Sequence, residues 1–194
     1  MFGVIGIIKI RKVNDTDYIE IREIYSYYIS ETAVSFEFFV PSLEEFKNRV
    51  EKISSKYPYI VAEDNGEVIG YAYGSEAYNE RAACSWDSDV SVYVRADYHG
   101  KGIGRRLYAA LEQMLKMLGY VTVYALVTGE NKDSCLFHEK VGYTQVGCLP
   151  HTGYKMGRWH SIYFYSKLIG RLDIPPHPFP KTTKQMDVYK ILEE

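Results

Sequence analysis

Cysteine is scarce in this chain. Only Cys84, Cys135 and Cys148 occur among 194 residues, an odd number with no C-x-x-C pair. That speaks against a disulfide framework and a thiolate zinc site, and reduced thiols in a cytoplasm fit best. Paired histidines are missing too: His99, His138, His151, His160 and His177 show no H-x-x-x-H spacing, and His138-Glu139 lacks the second histidine of a zinc protease. No metal site is expected. No apolar run approaches the roughly 18 residues of a membrane span. Met1 to Ile10 is apolar but short and without a basic leader, so it reads as the start of a strand rather than a signal peptide. Nor is there an excess of positive charge. A formal net charge of −2 argues against nucleic acid and anionic membranes as partners.

What is present suits one well-cored domain: 46% of residues are apolar and 25% charged. Nineteen tyrosines are the unusual feature, and they suit core packing or a polar-aromatic pocket. Phe2 to Val13 reads as a strand, and Asn14-Asp15-Thr16-Asp17 supplies helix-starting oxygens ahead of Ile21, Ile24, Tyr25 and Tyr28 at helical spacing. Ser42-Leu43-Glu44-Glu45 is a capping-box pattern that opens a second helix. Tyr59–Glu63 and Val68–Tyr73 read as strands joined by Asp64-Asn65-Gly66, a tight hairpin turn.

A strand over Asp87–Arg95 follows, then a helix with Ile103, Leu107, Leu111, Met114 and Leu118 on one face and Gly119 at its stop. Tyr120–Val127 is a near-continuous apolar run, expected to be a strand buried on both faces. A short helix over Asn131–Lys140 and strands over Tyr143–Leu149 and Trp159–Leu168 complete the order β-α-α-β-β-β-α-β-α-β-β. The fold class is α/β with a mixed sheet, over residues 1–169. Residues 170–194 read as a proline-rich arm outside that core, with room for a short helix over Thr183–Leu192.

His99-Gly100-Lys101-Gly102-Ile103-Gly104 stands where a strand gives way to a helix. The unpaired backbone N–H groups at that helix start form an anion site, and the glycines let the backbone approach a phosphate closely. A plain glycine loop is the bland alternative. The Rossmann spacing needs glycine at position 105, where Arg105 stands, and the P-loop needs Gly-Lys-Ser/Thr, which is absent. On the short helix that follows the next strand, Asn131, Ser134 and His138 share a face, with Phe137 and Val141 on the other side to bury it. A cofactor-facing surface and a solvated one both fit that pattern.

Val90 to Gly104, VSVYVRADYHGKGIG, resembles the strand–loop–helix segment of the GNAT acetyltransferases, whose Gln/Arg-x-x-Gly-x-Gly/Ala signature is carried here by Gly102 and Gly104 with His99 in the first place. The run NKDSCLFHEKVGY resembles the block after the next strand. Gly70-Tyr71-Ala72-Tyr73, Trp86-x-x-Asp89-x-x-Val92-Tyr93-Val94 and Gly153-Tyr154-Lys155-x-Gly157-Arg158-Trp159 are similar to the phosphinothricin (methionine sulfoximine) acetyltransferase branch. The resemblance covers about residues 8–168. It implies the acyl-CoA N-acyltransferase fold, acetyl-CoA as cofactor, and transfer of acetyl to the amine of a small amino-acid-like acceptor, in a protein that admits a homodimer. Departures lie on the acceptor side: Asp87-Ser88-Asp89 replaces Thr-Val-Glu, Cys84 stands where the branch has tyrosine, and His160-Ser161 follows Trp159 in place of the usual aspartate.

Residue by residue, the resemblance implies that Val92-Tyr93-Val94 offers backbone hydrogen bonds to pantetheine, and that His99 to Arg105 (Lys101 and Ile103 included) hold the pyrophosphate. Asn131 and Ser134 would contact the cofactor arm, with His138 near its sulfur as a proton donor or orienting group. Asp89 matches the family's general base, one methylene shorter and therefore acting through a water. An ordinary edge carboxylate is the alternative for Asp89. Phe36, Glu37, Tyr73, Arg81, Lys155 and Trp159 would enclose the acceptor, Arg81 pairing with its carboxylate. Two other functions stay open: acetylation of a polyamine, aminoglycoside or peptide terminus, and a non-catalytic coenzyme A-binding module.

Overall fold

Local signals set the element boundaries. The computed structural model describes residues 8–77, 82–172 and 178–193. Strand β1 (Lys9–Lys12) leads into a short 3-10 turn capped by the Asn14 side chain, and Arg11 clamps the buried Asp17 there at 2.7 and 2.8 Å. Residues 2–7 of the expected strand lie outside the described residues. Helix α1 (Tyr18–Ser30) follows, then α2 (Leu43–Ser54), whose Ser42/Glu45 capping box forms in both directions. Strands β2 (Tyr59–Asp64) and β3 (Glu67–Glu76) close on Asn65 and Gly66, both at positive φ (52° and 88°), as the inverse hairpin turn requires.

Next come β4 (Asp87–Val94), α3 (Ile103–Leu118) ending at left-handed Gly119, β5 (Thr122–Thr128), α4 (Lys132–Lys140), β6 (Thr144–Lys155) and β7 (Arg158–Leu168). The seven strands form one sheet in the order β1-β2-β3-β4-β5-β7-β6, antiparallel except between β4 and β5. Helix α3 buries Leu107, Leu111, Met114 and Leu115 on one face of the sheet, against Ile60, Ile69, Val90 and Val123. Helices α1 and α2 cover β2 and β3 on the other face, through Ile21, Ile24, Phe46 and Val50.

That second pair of helices does not extend over β5. The strand therefore alternates, with Val123, Ala125 and Val127 buried but Leu126 50% exposed, rather than being buried on both faces as its composition suggests. The arm differs from expectation as well: among its described residues only Tyr189–Leu192 is helical, as a single 3-10 turn. Tertiary bonds set its path. Lys181 N–H donates to Leu118 O, Thr183 N–H to Lys56 O, Phe179 stacks on Trp86 and Val188 is fully buried.

Candidate active site

A cleft opens because β4 and β5 part company. They pair only at Asp87–Thr122, Ser88–Val123 and Asp89–Tyr124, and diverge beyond. Arg95 N–H donates to Ile69 O on β3, so by strand parity the peptide groups of Tyr93 and Ser91 also face β3. Those of Val92 and Val94 turn the other way, into the gap, while Val90 N–H is taken by the last bridge to β5. The resulting cleft has a volume of about 820 Å³ and is lined by Val92, Val94, His99, Gly100, Gly102, Ile103, Gly104 and Arg105 along one wall. Thr32, Ala33, Val34, Thr128, Glu130, Asn131, Ser134 and Phe137 are among those that line the rest.

The start of α3 faces this space. Its first intrahelical bond runs from Arg106 N–H to Gly102 O, so the N–H groups of Ile103, Gly104 and Arg105 have no helical partner. Gly100 and Gly102 sit at φ 75° and 80°, and a Cβ on either would enter empty space. A Cβ on Gly104 would instead touch the Phe137 ring at 3.4 Å. The basic side chains divide: Arg105 lines the cleft, Lys101 lies over the Tyr98 ring at 4.2 Å, and Arg106 donates to Ile8 O. His99 Nε2 is 2.9 Å from both Val94 O and the Tyr28 hydroxyl, and that hydroxyl meets Val94 N–H and C=O. Val94 is thus already bonded, which leaves Val92 as the open peptide group on β4.

Helix α4 is turned differently from its expected orientation. Asn131 caps it, accepting from Ser134 N–H at 3.1 Å, and Ser134 lines the cleft together with Phe137. His138 does not share that face. It is 3% exposed and packs among the Tyr108, Phe137, Tyr143 and Tyr165 rings. Its Nδ1–H donates to Ser134 O at 2.7 Å, since a carbonyl only accepts, and Nε2 takes the Tyr108 hydroxyl at 3.1 Å. Burial, partly opposed by the Ser134 bond, lowers its pKa. The aromatic cage explains the rotation: three of its rings come from α3, β7 and the α4–β6 connection, beyond reach of local spacing.

On the other face of β4, Asp87, Asp89, Ser91 and Tyr93 project in line, level with Tyr71 and Tyr73 of β3. Burial, and then the charge of Asp87, pushes the Asp89 carboxyl up to about 7. Burial also raises Asp87. The Tyr73 hydroxyl is raised by burial and bonded by Ser91. Glu37 accepts from Tyr25 at 2.8 Å and from Arg49 at 2.7 Å. The Phe36 ring packs closely against Gly153, and Trp159 stays 59% exposed beside Tyr154. Lys155 is spent on structure: buried, with its pKa lowered by that burial, it donates to Ile29 O at 2.7 Å and Ser35 O at 2.6 Å. Arg81 lies outside the described residues.

The acetyltransferase (GNAT) domain family matches residues 10–162. The phosphinothricin N-acetyltransferase of Streptomyces viridochromogenes is 31% identical over 91% of this chain and 96% of its own length. The L-methionine sulfoximine/L-methionine sulfone acetyltransferase of Salmonella typhimurium is 29% identical over 80% and 91%. Among solved structures, a GNAT superfamily phosphinothricin acetyltransferase from Sinorhizobium meliloti in complex with AcCoA superposes with a TM-score of 0.81, at 30% identity over 88% of this chain and 96% of that one. With a divided sheet, free amides at the mouth of its cleft and this match over most of its length, the chain belongs to the GNAT acetyltransferase family.

Proposed function

We propose that this chain transfers the acetyl group of acetyl-CoA to the amine of a small amino-acid-like acceptor, of the phosphinothricin or methionine sulfoximine type. One observation carries the reading: β4 borders an anion-binding cleft through Val92 and the α3 amides, and on its other face presents a carboxyl that titrates near neutrality. The cleft fits the cofactor. Unpaired amides at 103–105, the open space beside Gly100 and Gly102, and the Arg105 cation suit a pyrophosphate, while the free Val92 peptide suits an amide-bearing arm. Bound acetyl-CoA supplies an activated acetyl thioester.

The chain's own residues then handle the acceptor. An amine attacks only when neutral, so a base must take its proton; Asp89 does so when ionised, directly or through one water. Tyr73 and Ser91 hold the polar wall beside it, and Phe36 and Trp159 supply apolar boundary. Glu37, paired with Arg49, shapes that wall rather than offering a free carboxylate. Arg81 remains the acceptor-carboxylate partner in this reading. His138 acts by packing, since Tyr108 and Ser134 occupy both of its nitrogens. A homodimer fits the apolar surface that Tyr154, Met156 and Trp159 expose on the β6–β7 hairpin, and a cytoplasmic location fits the three free thiols.

The test is a thiol-release assay with purified protein and acetyl-CoA, comparing amino-acid analogues with polyamines and aminoglycosides. Acetylated phosphinothricin or methionine sulfoximine, identified by mass, is the expected product. Turnover of polyamines alone would sink the amino-acid reading, and coenzyme A binding without transfer to any amine would mark a non-catalytic module.

A further inference from the structure

His160, on β7, is 1% exposed, and both its ring nitrogens face acceptors. Nε2 lies 2.9 Å from Lys155 O and Nδ1 lies 3.0 Å from Glu130 Oε2. A carbonyl oxygen cannot donate, so Nε2 carries a proton. An ionised carboxylate cannot donate either, so Nδ1 carries one too. A neutral ring would set a bare nitrogen against carboxylate lone pairs. Glu130 has the means to stay ionised: its side chain is 37% exposed, and Arg158 adds positive charge nearby.

We propose that His160 is a buried imidazolium whose pairing with Glu130 ties the cofactor cleft to the acceptor wall and sets how the two substrates align. The path can be followed bond by bond. Glu130 lines the cofactor cleft from the β5–α4 connection. His160 grips Lys155 through its carbonyl, and the Lys155 ammonium holds Ile29 O and Ser35 O, at the two ends of the segment that leaves α1. Phe36 comes next, its ring 6.0 Å from the His160 ring. A rigid planar cation with two opposed donors fixes the distance between those walls in a way that one hydrogen bond could not. Of the other charged groups nearby, Glu37 acts on the Lys155 ammonium and Arg158 on Glu130; Phe36 contributes no charge. His160 is on this account a positioning residue, and its aligning role rests on the acetyl-transfer reading given above.

The test is nitrogen-15 NMR of the full chain at pH 7, which separates an imidazolium from either neutral tautomer. Wild type should show both His160 nitrogens protonated. In Glu130→Gln the new amide N–H can donate to Nδ1, so the ring should become neutral with its proton on Nε2. Loss of one charge-assisted contact, roughly 1 kcal/mol, should raise the acceptor KM about fivefold in both Glu130→Gln and His160→Gln. Coenzyme A affinity of His160→Gln, measured by calorimetry, should change less than about twofold, because that ring does not line the cleft. A neutral His160 in the wild type, or an imidazolium that survives in Glu130→Gln, overturns the ion pair. An unchanged acceptor KM in both variants overturns the aligning role. A wild type that transfers acetyl to no amine overturns the functional reading and the aligning role together, while the NMR pattern still decides the ion pair; should His160→Gln fail to fold, the half-exposed Glu130 variant carries the same test.

Discussion

Replacing Asp89 with asparagine should make the protein more stable and nearly inactive at once. The wild-type carboxyl sits at about 7, raised by burial and by Asp87, whereas an unfolded aspartate titrates near 3.9. The folded state therefore holds its proton more tightly than the unfolded state does. Between about pH 4 and pH 7 stability falls as pH rises, because ionising a buried group costs more inside than out. About three pKa units at 1.36 kcal/mol each set an upper bound of about 4 kcal/mol on that loss, and coupling to Asp87 will divide it between the two. Asparagine keeps the shape without the charge. Urea unfolding should thus give nearly equal stabilities for variant and wild type at pH 4, and a variant more stable by about 1–4 kcal/mol at pH 8. Acetyl transfer in the wild type should rise with pH through about 7, where Asp89 becomes able to accept a proton. The variant should lose on the order of 10²-fold or more in kcat/KM and lose that inflection. Parallel stability curves from pH 4 to 8 would refute the burial argument, and an unchanged pH–rate profile would remove Asp89 from the base role.

Other substitutions test the walls of the two sites. Gly102→Val places a side chain at φ 80° into the open space where the proposed function puts the pyrophosphate, so calorimetry should show coenzyme A affinity weakened by about tenfold or more, with a strain cost of about 1–2 kcal/mol in unfolding. Lys155→Met removes two donors from buried carbonyls, and thermal or urea unfolding should register a loss of about 2–4 kcal/mol; a normally stable variant with only a raised acceptor KM would restore Lys155 to the acceptor site. Gly153→Ala would bring a Cβ within 2.3 Å of the Phe36 ring, so Phe36 must move; a cost of about 1–3 kcal/mol and an altered acceptor KM are expected, with coenzyme A binding unchanged.

Local chemistry makes much of the frame legible in the sequence. The Ser42/Glu45 box, the Asn65-Gly66 turn and Gly119 each act through backbone geometry within a few residues, and each lies where its signal places it. The α3 entrance is readable for the same reason: glycines and helix-start amides are neighbours in the chain. What escapes depends on distant partners. Tyr28 reads as one more apolar position on α1, yet its hydroxyl closes Val94 from 66 residues away. Thr32 to Val34, Thr128 and Glu130 carry no motif and reach the cleft only through the sheet order. Lys155 has the composition of an acceptor contact but lies beneath α1's last turn, and His138 turns inward because Tyr108, Tyr143 and Tyr165 close around it. The proposed acceptor side is the less readable half for that reason: Phe36 and Glu37 come from the α1–α2 connection, Tyr73 from β3, Asp89 and Ser91 from β4 and Trp159 from β7, and no single motif joins them.

A crystal structure with coenzyme A and an amine acceptor bound together would decide between a working transferase site and any other use of the cleft. The pyrophosphate should lie on the amides of residues 103–105, the pantetheine arm along the open Val92 peptide, and the acceptor amine on the Asp89 side of β4. Cofactor found outside the gap between β4 and β5, or an acceptor amine remote from Asp89, would contradict that placement.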